Sequence, residues 1–198
     1  MEPGAADQPI VSHRLVLVPL AVEDAAEMAP VLDDERVHAF TGGRPLNTAQ
    51  LRSRYEELVA GSGTPDELWL NWIVRAGPDR VAVGTVQATV SGPNTSAAVA
   101  TIAWVIGVPF QGRGYATEAA HALVVWLFEQ DVGVVAARIH PDHRASISVA
   151  RHAGLQRTGD MLEGEEVWER TLGVPRGLVD GGEAHDAGIR GRGQGRTE

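Results

Sequence analysis

IAWVIGVPFQGRGYATEA, residues 102–119, passes from a strand-like run through a glycine loop into the start of a helix. The apolar run that leads into it, AAVATIAWVIGV (97–108), has the β-branched content of a strand. The segment that follows, ATEAAHALVVWLFEQ (116–130), sets Ala116, Ala120, Leu123, Val124, Leu127 and Phe128 on one helical face. Between them lies Gln111-Gly112-Arg113-Gly114-Tyr115-Ala116, followed by Thr117. A helix start exposes unpaired N–H groups and the positive end of the macrodipole. Glycine lets such a backbone close on a ligand, because no Cβ stands in the way. The loop therefore has the makings of an anion cradle, although a plain strand-to-helix turn also uses glycine. Two nucleotide loops are excluded. The dinucleotide fingerprint needs Gly or Ala where Thr117 stands, and the phosphate loop needs a lysine, which this chain lacks.

The flanking sequence predicts the rest of the architecture. HRLVLVPL (13–20) reads as a strand. VEDAAEMAPVLDDERV (22–37) is helical in pattern and broken at Pro30, and TAQLRSRYEELVAG (48–61) is a second helix closed by Gly61. ELWLNWIVRA (67–76), VAVGTVQATV (81–90) and the strand of the opening stretch are joined by the turns GPDR and SGPNTS, so they form an antiparallel meander. The long helix is then a crossover, which makes the strands on either side of it parallel. GVVAARIHP (133–141) is a short buried strand, HRASISVARHAG (143–154) a helix ending at Gly154, and VWERTL (167–172) a last strand or half of a hairpin. The expected class is α+β: a mixed, mostly antiparallel sheet with helices on both faces. The expected division is a flexible arm over 1–12, one domain over 13–172, and a Gly/Arg-containing flexible tail over 173–198.

Composition narrows the function. The chain has 198 residues, enough for one well-buried domain. It has no cysteine, so neither disulfides nor thiol catalysis enter. Seventeen basic residues, all arginine, face 26 acidic ones, for a net charge of −9. That field argues against nucleic acid and favours cationic small molecules. The opening MEPGAADQPI has no apolar core of a secretory signal, and no apolar run is long enough to span a membrane. A cytoplasmic protein with no membrane partner is expected. His140, Asp142 and His143 lie close together but lack a distant ligand pattern, so no metal is expected, and Asp142 is read as a helix cap.

QGRGYA resembles the Gln/Arg-x-x-Gly-x-Gly/Ala loop with which the GNAT N-acetyltransferase superfamily holds the pyrophosphate of acyl-CoA. IAWVIGVPFQGRGYATEA is similar to that family's fourth strand, loop and third helix, and IHPDHRASISVARHAGL (139–155) to its next block. RLVLVPLAVEDA (14–25) resembles the opening of the branch that contains ribosomal-protein N-terminal acetyltransferases. The likeness runs over residues 13–172.

The resemblance implies a GNAT fold whose fourth and fifth strands splay, with the pantetheine arm of acetyl-CoA lying in the gap. On that basis Ile106 and Val108 are its backbone partners, and Gln111, Gly112, Arg113, Gly114, Tyr115, Ala116 and Thr117 hold the pyrophosphate without metal. His143 stands where an asparagine often contacts pantetheine. The tyrosine that usually serves as general acid is replaced by Ala150, and Ser146 is the implied substitute. For the general base, Glu67, Asp33, Asp34 and Glu35 are candidates acting through water, with Glu67 placed first. Trp69 and Trp72 either line an acceptor pocket or pack the sheet. The implied activity is transfer of acetyl from acetyl-CoA to a primary amine, on a small molecule or a protein N-terminus, by direct attack in a ternary complex. A homodimer is the assembly the resemblance suggests. The alternative is a non-catalytic acyl-CoA-binding or sensing module on the same fold.

Overall fold

The computed structural model describes residues 7–40, 42–93, 95 and 97–173. Eight strands form one sheet: β1 (Ile10–Val11), β2 (Leu15–Pro19), β3 (Glu67–Ala76), β4 (Val81–Ser91), β5 (Val99–Ile106), β6 (Val134–Ile139), β7 (Gln156–Leu162) and β8 (Glu165–Thr171), in the order β1-β2-β3-β4-β5-β6-β8-β7. All neighbours are antiparallel except β5 and β6, which the crossover makes parallel. The helices are α1 (Ala25–Val31), α2 (Glu35–His38), α3 (Thr48–Ala60), α4 (Tyr115–Glu129) and α5 (Arg144–Ala153).

Both faces of the sheet are covered, and β3 shows how. Leu70, Trp72 and Val74 turn into the larger core, which holds Leu123, Val124 and Leu127 of α4 and Ile147 and Ala150 of α5. Ile73, between them, turns the other way, against Met28 of α1 and Leu51 and Tyr55 of α3. Period-two alternation thus delivers apolar residues to two cores at once. The three α4 side chains are fully buried, and each contributes roughly 1.5–3 kcal/mol relative to exposure. On α4 the buried face also takes in Ala119, while Ala116 and Phe128 are only half-buried at its margin.

Local structure departs from the expectation in two places. The expected first helix is divided: a 3-10 turn at Val22–Asp24 feeds α1, which runs over Pro30 and stops one residue later. Pro30, inside the last turn, removes one i→i−4 hydrogen bond, and the helix ends one residue later. Asp34 then caps α2 by accepting from Arg36 N–H. Before residue 13, where the domain was expected to start, Ile10 is already buried, β1 pairs with β2, and Ser12 bonds into α4. The final element is a complete hairpin, β7 with β8. The expected tail 173–198 lies, apart from Gly173, outside the described residues.

Candidate active site

The site arises where two parallel neighbours part. β5 pairs with β6 only over Val99–Thr101 and Val134–Ala136. Beyond that, β5 stays bound to β4 as far as Ile106, and β6 stays bound to β8 as far as Ile139. Each strand follows its other partner as the sheet twists, so a cleft opens between them. Its volume is about 660 Å³. Gly107 N–H donates to Val83 O at 2.9 Å. With the β4–β5 register, this means that Trp104 and Ile106 turn their N–H and C=O groups away from β4, toward the cleft.

At the mouth, the loop leads into α4. Gly112 and Gly114 adopt φ of +73° and +79°, which side chains with a Cβ rarely tolerate. Gly114 is the helix N-cap and brings no side-chain acceptor. Among the described residues, the N–H groups of residues 112–117 find no acceptor on the protein; the first amide satisfied is Glu118 N–H, which donates to Gly114 O at 3.0 Å. The contrast with α3 is instructive: there Asn47 and Gln50 close a capping box. The start of α4 is left open toward the cleft.

The loop is held from behind. Glu118, in the first turn of α4, accepts from Arg14 N–H at 2.6 Å, from Arg14 Nε at 2.7 Å and from Ser12 Oγ at 2.8 Å. Arg14 also donates to Arg113 O at 3.0 Å and lies over the Tyr115 ring. Partial burial pulls the Glu118 carboxyl upward, but these hydrogen bonds and the Arg14 charge outweigh it and hold the group below its ordinary value. Gln111 reaches back to donate from Nε2 to Ile106 O at 2.8 Å, fastening the loop to the end of β5.

Ile106, Gln111, Gly112, Gly114, Tyr115, Ala116, Thr117, His143 and Ser146 all line the cleft. Three expected residues do not. Val108 has left the strand and opens a 3-10 turn, Val108–Phe110, because Pro109 cannot continue a ladder. Arg113 instead donates to Pro109 O at 3.2 Å, with its guanidinium over the ring of Phe110. Glu67 is two strands in from β5, opposite Ser91, at the end of the sheet where β5 and β6 are still paired. Its carboxylate accepts from Trp69 Nε1 at 2.7 Å. Trp72 is core, packed edge-on against Trp126. Asp34 is gripped by Arg36, whose hydrogen bonds and charge hold its carboxyl down at about 2. Asp142 does not cap α5; the N-cap is His143, without a side-chain cap bond. Ala150 is fully buried.

Sequence reading missed the wall contributed by α2 and its exit. Arg36, Val37 and Phe40 line the cleft, and the Phe40 ring stacks on His143 at 4.2 Å and 11°. A smaller chamber of about 70 Å³ continues beyond this stack, walled by Ile102, Ala103, Arg138, His140 and Glu165. Trp104, Phe40, His143 and Ser146 line both spaces. The only hint in the sequence was an aromatic closing ERVHAF (35–40).

The cleft therefore offers a free strand edge, an open helix start for an anion, and a hydroxyl and an imidazole where the two strands diverge. Comparison with known proteins bears on the family and the fold. A family model described as an acetyltransferase (GNAT) domain matches residues 14–156. Among solved structures, a GNAT-family acetyltransferase from Bacillus anthracis superposes with a TM-score of 0.68 at 19% identity, covering 83% of this chain and 98% of that one. The microcin self-immunity acetyltransferase MccE, in complex with acetyl-CoA and AMP, gives 0.67 at 15% identity, covering 81% and 94%. RimL, a ribosomal alpha-N-protein acetyltransferase in complex with coenzyme A, gives 0.64 at 15% identity, covering 83% and 98%. At these identities the structural likeness speaks for the fold. A search of curated protein sequences finds no match.

Proposed function

The chain belongs to the GNAT acetyltransferase family, and on that premise we propose that it transfers an acetyl group from acetyl-CoA to a primary amine by direct attack in a ternary complex. The observation that carries this reading is the divergence of β5 from β6 beside a row of unpaired amides at the start of α4. A pyrophosphate needs convergent N–H donors and a positive dipole, and residues 112–117 supply both. A pantetheine arm carries amides that require strand-like partners, and Trp104 together with the N–H of Ile106 presents them. No metal is invoked, because backbone donors meet the charge.

Ser146 is the proposed proton donor to the departing thiolate. It lines the cleft where the two spaces meet, whereas Ala150 is buried and has no proton to give. The acceptor is a small amine or a protein N-terminus, and the acidic net charge favours a cationic one. A homodimer in the cytoplasm is the proposed setting.

Thermal stabilisation by CoA but not by ATP or NAD, together with thiol release from acetyl-CoA in the presence of an amine panel, is the expected result. Stabilisation by ATP or NAD instead of CoA would refute the cofactor assignment. A second reading rests on the buried Ala150 and on the absence of Glu67 and Asp34 from the cleft's proton chemistry: a module that binds acyl-CoA without turnover. Tight acetyl-CoA binding with no thiol release on any amine is what that reading requires.

A further inference from the structure

His143, first read as a cofactor contact, has surroundings that suit a different task. It sits at the N-cap of α5 where the cleft and the smaller chamber join, and Ser146 lies three residues on, on the same face. Phe40 covers one face of its ring at 4.2 Å in near-parallel stacking. Stacking occupies a face and leaves the edge free. Among the described residues neither ring nitrogen of His143 makes a hydrogen bond. His140 is different: its Nδ1 accepts from Asp142 N–H at 3.2 Å, which ties up that lone pair and puts the proton of the neutral ring on Nε2. Of the two imidazoles lining the chamber, only His143 has a lone pair to offer.

We infer that His143 is the general base for the acceptor amine, receiving its proton at the junction of the two chambers while Ser146 serves the thiol; this rests on the transferase reading above. The protons balance as follows. His143 takes one proton from the ammonium and passes it to solvent. The freed amine forms the C–N bond, the C–S bond breaks, and one of the two remaining N–H protons ends on the thiolate by way of the Ser146 hydroxyl, the other staying on the amide. Amide, thiol and one proton in solution are the products.

The charged groups around His143 are compatible with a neutral resting ring. Partial burial and the neighbouring His140 both push its protonation below the ordinary 6.5. Arg36 of α2 and Arg138 of β6 are engaged by Asp34 and Glu163. Asp142 and Arg144 flank His143 along the chain, and Glu165 of β8 lines the smaller chamber with it, where a carboxylate can hold an incoming ammonium.

The test is the pH dependence of kcat/KM on acetyl-CoA with tyramine, spermidine and a seryl dipeptide as acceptors, for wild type, H143Q and F40A, alongside CoA affinity by calorimetry. Wild type should lose activity on acidification with an inflection below 6.5. H143Q should lose that limb and about 10²-fold or more in kcat, with CoA affinity unchanged. F40A should move the limb to higher pH, since uncovering the ring restores its hydration; a residue with a merely structural role would not shift it. An NMR titration of the His143 ring should give the same inflection. An H143Q enzyme that keeps kcat and the acidic limb but binds CoA about tenfold more weakly would overturn the assignment and return His143 to the cofactor. CoA binding by wild type with no thiol release on any of the three amines would overturn the transferase reading, and the base with it.

Discussion

Single residues carry the chemistry of this cleft, and backbone conformation decides which types can stand there. Gly112 and Gly114 need positive φ, and a Cβ on Gly112 would meet nothing within 4 Å. Gly112→Glu therefore tests the anion site with little steric damage: strain of about 1–2 kcal/mol is expected, while a carboxylate at the open amides should abolish CoA binding by calorimetry. Retained affinity would make the loop merely structural. Ser146 is a subtler case, because a hydroxyl at a helix start is common. Ser146→Ala should lower kcat by about 10²-fold with CoA affinity intact if the proton donor role is correct. Turnover equal to wild type would remove that role.

At the level of elements, the decisive join is between the N-terminal strand and the first turn of α4. Ser12 and Arg14 bind Glu118, more than a hundred residues away, and so fix the helix start against β2. Glu118→Gln should cost about 1–3 kcal/mol at neutral pH, read from denaturant unfolding, because hydrogen bonds to a charged group are lost. The sign of the pH effect follows from the folded-state value lying below the ordinary 4.5. Native stability from this group is complete above 4.5 and drains away as pH falls through the lower folded value. The variant should show a shallower acid dependence than wild type. A second join lies between α1 and the end of β5: a Cβ on Gly107 would stand 2.6 Å from Val31 O. Gly107→Ala should therefore lower the melting temperature and weaken CoA binding together, since the shifted strand end carries Ile106.

For the molecule as a whole, the net charge of −9 acts with opposite sign on the two substrates proposed above. A cationic acceptor is drawn in and the anionic CoA is repelled. Raising salt from about 20 to about 200 mM shortens the screening length about threefold. Association of acetyl-CoA, followed by stopped-flow Trp fluorescence, should then quicken, while kcat/KM for spermidine falls. Parallel changes for both would show that local charges, such as Glu165 or Arg36, outweigh the global field.

The sequence by itself carried the resemblance to the family, and it determined most of the elements, the parallel crossover and the strand-loop-helix segment. These depend on local periodicity, on glycine at fixed offsets and on the sterics of connecting parallel strands, all of which act over short stretches. The tertiary structure alone decided that Val108 and Arg113 do not line the cleft, that Glu67 stays at the paired end of the sheet, and that Phe40 stacks on His143. Those outcomes depend on where twist separates β5 from β6 and on contacts between residues about a hundred positions apart. Such contacts form only once the whole sheet is assembled, and no local pattern encodes them.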